Sequence, residues 1–331
     1  MLARLAFALA ASWLAALPGG DPAAPAAERR FLPGRWEQVG GVQPEMESDL
    51  LNPLLIASRG RMLYVVDYGD TRVKAFDWTG RLAWAAGRKG KGPNEFTNPT
   101  DLQVDRSGNL WVYDPANSRV TVLRPDGKVE KMISTRTLFQ RVLPLEDGTF
   151  WGIGVGTEGV LGYRFDRRGT LAGTMRLPAT MGSVDPMALD GRVAVAPTGR
   201  AAVMTFLYAD RLVLWNGATR QVRSTPGVEP IPFPSVLEWQ GPGGGVVTRL
   251  SLDATPATLS VTADDRYAYL LYGGKTRMKG RIVDRYELAT GRYAGSYLLP
   301  RRVSGITVVP NGLAVLISNP MPEIRVWRRV G

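Results

Sequence analysis

The sequence predicts an all-β fold, an array of repeated four-stranded antiparallel units, and three observations carry that prediction. The stretch from Leu63 to Gly80, LYVVDYGDTRVKAFDWTG, recurs from Leu110 to Gly127 as LWVYDPANSRVTVLRPDG, 47 residues on and without a gap. A fixed period of this size marks small supersecondary units that cannot bury their apolar faces alone. Each copy also holds two short apolar runs, Leu63 to Val66 and Arg72 to Phe76 in the first, split by an Asp and small polar or Gly residues and closed by a turn. That is the pattern of tightly joined antiparallel strands. Finally, the runs are β-branched and aromatic and shorter than a helix needs, and no apolar spacing of three and four persists between turns.

Several features recur at matching places in the two copies. Asn52-Pro53 and Asn98-Pro99 precede the first strand, Asp105-Arg106-Ser107-Gly108-Asn109 forms a turn, Leu110 to Asp114 is a strand, and Arg119-Val120 and Asp126-Gly127 follow. Gly90-Lys91-Gly92-Pro93-Asn94-Glu95-Phe96 lies between the copies. Together they resemble the NHL-type repeat of β-propellers, especially the six-bladed propellers exported by bacteria, with the heptapeptide as the linker between blades. The resemblance is close from Asn52 to Gly127 and diffuse afterwards. It implies a ring of blades around a central channel, and it leaves function open, because this architecture hosts many unrelated activities.

Residues 1–27 read as a signal peptide and Pro/Ala-rich leader. Arg4 gives a basic start, Leu5 to Leu17 an apolar run, and Ala24-Pro25-Ala26 a cleavage site. The run is short against the roughly 20 residues of a membrane crossing, and no later segment is apolar enough for one. A periplasmic or secreted location follows. With no cysteine in the chain, the core must stabilise an exported fold without disulfides, and no lipid attachment point is present.

Residues 28–331 are then expected to form one propeller domain. Arg35 to Val42 is a lone strand that closes the ring by pairing with the last blade, since closure removes exposed sheet edges. A third unit starts near Arg141. Within it, Gly154 to Gly159 satisfies GxGxxG but precedes another strand pattern, so it reads as a glycine-rich hairpin and not a nucleotide loop. The fourth unit runs from about Ser183 to Gly227. After it, residues from about 225 to 256 form a long Pro/Gly loop carrying Phe233 and Trp239, a candidate lid or contact loop. The fifth unit spans Thr258 to Leu298, with the basic hairpin tip Lys275 to Arg281. The sixth spans Ser304 to Val330. Turn-bounded repeats thus number six, or seven if Val228 to Asp253 pairs as a blade of its own.

Histidine and cysteine are both absent, so no site can use imidazole or thiolate: structural zinc, Ser-His-Asp catalysis and cysteine nucleophiles are excluded. Oxygen donors for calcium remain. Asp67 and Asp114 recur at one place in successive units and are assigned to turn stabilisation, a job needed in every blade. Nonrepeated polar residues near the starts of the innermost strands are the better ligand candidates: Asp101, Arg141, Asp185, Arg249 and Ser304, expected to border the channel and one mouth of the ring. No catalytic set, resident metal or cofactor is read. The formal charge of +11 is spread along the chain and not clustered as phosphate tracking requires, which with export argues against nucleic acid. The expectation is a monomeric, noncatalytic exported propeller that binds a protein, peptide or glycan. The resemblance also raises an alternative, a calcium-assisted hydrolase like the lactonases of this fold, to which Asp101 and Asp185 could contribute.

Overall fold

The structure, a computed structural model, describes residues 28–44, 49–154, 159–241 and 244–331. The leader and Val155 to Glu158 of the glycine-rich segment lie outside the described residues. Six four-stranded antiparallel sheets form the blades: residues 53–86, 101–134, 141–176, 191–226 and 258–298 make blades 1 to 5, and residues 305–330 with Arg35–Val42 make blade 6. In blades 1 to 5 the strands follow one another in chain order from the innermost strand outward. The two clear copies fold alike: Leu63 faces Phe76 across its sheet, and Leu110, at the same place one period on, faces Leu123. All four side chains are buried.

Burial explains the composition of each strand. The second and third strands of a blade, such as Met62–Asp67 and Arg72–Asp77, are covered on both faces by neighbouring blades and are buried almost throughout. They therefore read as continuous apolar runs and not as alternations. The outermost strand, such as Leu82–Ala86, is buried mainly on alternate residues. The core is accordingly divided into six apolar clusters among the described residues, each uniting side chains of two adjacent blades. No blade can bury its faces alone, so the ring folds as one unit.

The repeated aspartates clamp the connections between blades. Asp67 accepts hydrogen bonds from the backbone N–H groups of Leu51, Asn52 and Gly69 at 2.8, 2.8 and 2.9 Å and from Lys74 Nζ at 2.9 Å. Burial alone would raise its pKa; these donors outweigh that and hold it below the usual carboxylate range. Asp114 accepts the backbone N–H groups of Thr97 and Asn98 at 2.6 and 3.2 Å.

The ring ends meet in blade 6, where Arg35–Val42 pairs antiparallel with Glu323–Val330. Trp36 Nε1 donates to the Leu298 carbonyl of blade 5 at 2.9 Å. Gly40 is required by close approach, since a Cβ there would lie 2.2 Å from the Trp78 carbonyl oxygen. Ahead of this strand, Phe31 bridges to Ser296 on the outer edge of blade 5.

One expectation needs correction. The stretch after blade 4 is not an unpatterned loop: Val236–Gln240 and Val246–Leu250 pair as a two-stranded hairpin outside the six blades. Nor is it a seventh blade, for which four strands would be needed. Both its strands are largely exposed, so no buried face imposed an alternation that could be seen in the sequence.

Candidate functional site: the mouth of the channel

The innermost strands line a channel that Gln103 divides. This side chain stands on blade 2 and its Nε2 donates to the Val193 carbonyl of blade 4 at 3.1 Å. It lines two cavities, one of about 400 Å³ where the inner strands begin and one of about 490 Å³ where they end. The second is walled largely by small and apolar residues. The first is charged, and it contains Asp101, Arg141, Arg192, Tyr68 and Ser304.

Asp101 opens the inner strand of blade 2, Asp101–Val104, and is buried. Its Oδ2 accepts from the Val142 backbone N–H at 2.8 Å and its Oδ1 from Gln103 Nε2 at 3.1 Å. Burial raises its pKa to about 6, against the lowering pull of Arg141 and these donors. Arg141 opens the inner strand of blade 3 and is buried as well. Its guanidinium donates to the Gly191 and Gln140 carbonyls at 2.8 and 2.9 Å and to Asp190 Oδ1 at 3.1 Å. Arg192, on the inner strand of blade 4, donates to its neighbouring Gly191 carbonyl at 3.1 Å and lies 3.8 Å from Asp190. Burial lowers its pKa, and the like charge of Arg141 lowers it further. Tyr68 donates its hydroxyl to the Pro99 carbonyl, and burial raises its pKa.

The sequence candidates thus separate. Asp101, Arg141 and Ser304 meet at this mouth, Ser304 donating to the Leu316 carbonyl at 3.1 Å. Asp185 and Arg249 line neither channel cavity. Asp185 caps the short 3-10 turn Pro186–Leu189, accepting from the Met187 N–H at 2.8 Å. The inner strand of blade 4 begins only at Gly191, so Asp185 stands ahead of the strand and not at its start. Arg249 belongs to the extra hairpin and covers the Trp239 ring at 4.9 Å. Phe233 packs edge-on against Phe206 at 4.9 Å, on the core between blades 3 and 4, while Trp239 is exposed on the hairpin. Neither is a channel residue.

Arg192, Tyr68 and Gln103 escaped the sequence reading. Gln103 carried a signal, since residues two apart on a strand share a face and it follows Asp101 by two. Arg192 became visible only with the correct start of its strand. Chemically, the mouth presents two guanidiniums and a carboxylate with both oxygens engaged. Among the described residues no group of three or more carboxylates is arranged to hold a metal ion, and of the two aspartates that could contribute to a calcium site Asp101 lines this mouth whereas Asp185 does not.

Comparison with known proteins agrees with this architecture. A family model described as "6-bladed beta-propeller" matches residues 47–150. The human NHL repeat-containing protein 3 is 31% identical over 104 residues, a match covering 28% of this chain and 29% of that protein. Among solved structures, a member of the duf4221 family from Bacteroides vulgatus superposes with a TM-score of 0.60 at 10% identity, covering 90% of this chain and 99% of that one. A Bacteroides fragilis protein provisionally described as exported gives 0.57 at 13% identity, covering 89% and 96%. Streptogramin B lyase gives 0.52 at 12% identity, covering 93% and 100%. At these identities the structures speak for fold alone. Blade count and strand order make the chain a six-bladed β-propeller, part of which is similar to an NHL repeat-containing protein.

Proposed function

We propose that the protein is an exported, noncatalytic binding propeller, monomeric, which takes an acidic group of a peptide, protein or glycan at the channel mouth where the inner strands begin. One observation carries the reading: Arg141 and Arg192 line the same cavity, like charges close enough that burial and Arg141 together lower the Arg192 pKa, with the half-exposed Asp190 as their nearest shared counter-ion. Guanidiniums are donors only, and a carboxylate placed between them would be bound by charge-assisted hydrogen bonds. The leader-like pattern of residues 1–27 and the likeness to a protein described as exported support a periplasmic or secreted location. Nucleic acid is not the expected partner.

The test is titration calorimetry with short peptides and oligosaccharides that carry or lack a carboxylate. Binding should require the carboxylate and weaken about tenfold or more in Arg192→Ala, the loss of a charge-assisted contact being worth about 1.5–3 kcal/mol. Carboxylate-independent binding, or turnover in a hydrolase screen that is abolished by Asp101→Ala, would refute it.

A further inference from the structure

A third cavity, of about 560 Å³, lies away from the channel in the cleft between blades 3 and 4. Its walls include Trp151 of blade 3 and Trp215 of blade 4, with Arg164, Arg176, Arg200 and Arg220 around them. The two indoles are fixed by the strands that bear them. Trp151 stands opposite Arg164 in the sheet of blade 3, and Trp215 stands opposite Val222 in that of blade 4. Gly217 leaves room for the Trp215 ring, because a Cβ there would come within 2.8 Å of it.

The charges of the cleft do not cancel. Glu146 and Asp147 are its acidic lining residues, and both are engaged: Glu146 by Arg200 at 2.8 Å and Arg106 at 2.5 Å, Asp147 by Arg164 at 3.3 Å. Arg220 and Arg176 are exposed and have no acidic partner among the described residues. The cleft therefore offers flat apolar walls and a surplus of positively charged donors. Indole and guanidinium side chains have no acceptor atoms. A peptide laid here would bring as many backbone N–H groups as carbonyls, and its N–H groups would go unmatched. A sugar acid brings carboxylates that only accept, hydroxyls that can accept twice for each bond they donate, and ring faces of C–H bonds that pack on indole. The volume lies within the range of small-ligand pockets.

We infer that this interblade cleft is a binding site for an acidic oligosaccharide, with Trp151 and Trp215 against the sugar rings and Arg176 and Arg220 on the carboxylates. The site is independent of the channel mouth. To keep the two apart, binding is measured by calorimetry on the full chain carrying Arg192→Ala, which weakens the channel site, so that the response to substitutions in the cleft reads the cleft alone. The probes are a galacturonic acid trimer, a neutral galactose trimer and tetraglutamate. The acidic trimer should bind saturably, at least tenfold more tightly than either other probe. Adding Arg220→Glu, an exposed position where folding is not at stake, should weaken it at least fivefold, and Arg176→Gln should weaken it to a lesser degree. No saturable binding of the acidic trimer, no response to Arg220→Glu, or equal affinity for tetraglutamate would each overturn the assignment, the last making the cleft an acidic-peptide surface.

Discussion

The buried carboxylate of Asp101 accepts the backbone N–H of Val142 at 2.8 Å, so a titratable group on blade 2 holds the inner strand of blade 3 in place. Its pKa of about 6 in the folded chain, against the ordinary aspartate value of 3.8, makes it a stability sensor. Below about pH 4 the group is protonated in both states. From there to about pH 6 the folded chain keeps a proton that the unfolded chain has lost, so stability falls as pH rises, by on the order of 3 kcal/mol. Urea unfolding at pH 4 and pH 7 should show Asp101→Asn losing this slope relative to the wild type. Equal slopes in the two proteins would show that Asp101 ionises normally.

Arg29 is sunk between blades 4 and 5, donating from Nη2 to Asp284 at 2.9 Å and pairing with Glu229, with its guanidinium 4.3 Å from the centre of the Tyr272 ring. Asp284 is buried, and Ser296 Oγ also donates to it at 2.5 Å. Removing one partner of a buried pair leaves an uncompensated charge. Arg29→Ala should therefore cost about 3 kcal/mol in chemical unfolding. A cost within 0.5 kcal/mol or so of zero, the range of ordinary surface changes, would contradict the burial of this pair.

The repeated aspartates should behave as structural equivalents. Asp67→Ala orphans the backbone N–H groups of Leu51 and Asn52 at the entry to blade 1 and of Gly69 in the turn after its second strand, and Asp114→Ala those of Thr97 and Asn98 at the entry to blade 2. Each should cost about 2–4 kcal/mol by the price of unsatisfied buried donors, and neither should alter binding of an acidic probe at the channel mouth. Loss of binding at unchanged stability would give one of them a functional role.

Deleting residues 28–42 removes the outer strand of blade 6 together with the bridge to blade 5. It bares the Glu323–Val330 edge, whose unpaired backbone groups invite association with other chains. Size-exclusion chromatography of the truncated protein should show oligomers or aggregate where the full chain elutes as a single smaller species; an unchanged elution and melting temperature would mean that this strand does not secure the ring.

Sequence alone determined the repeat, the strand character of each run and the chemistry that imidazole and thiolate cannot supply here. Leu63 and Leu110 announce themselves because a strand covered on both faces must be apolar throughout, and that requirement is written locally. Asp67 and Asp114 were legible as structural for the same reason, recurring wherever a blade is entered. The channel mouth was only half legible: Asp101, Arg141 and Ser304 were found by their place at the start of a unit, whereas Asp185 stands ahead of its strand and Arg192 was missed. The extra hairpin of Val236–Gln240 and Val246–Leu250 was legible only as possible pairing within Val228 to Asp253, since exposed strands carry no burial pattern to fix their bounds. Which side chains meet, Arg192 and Arg141 at the channel mouth or Arg220 and Trp151 in the cleft between blades 3 and 4, is decided by the closing of six sheets into a circle. That closure joins residues far apart in the chain, and no local pattern encodes it.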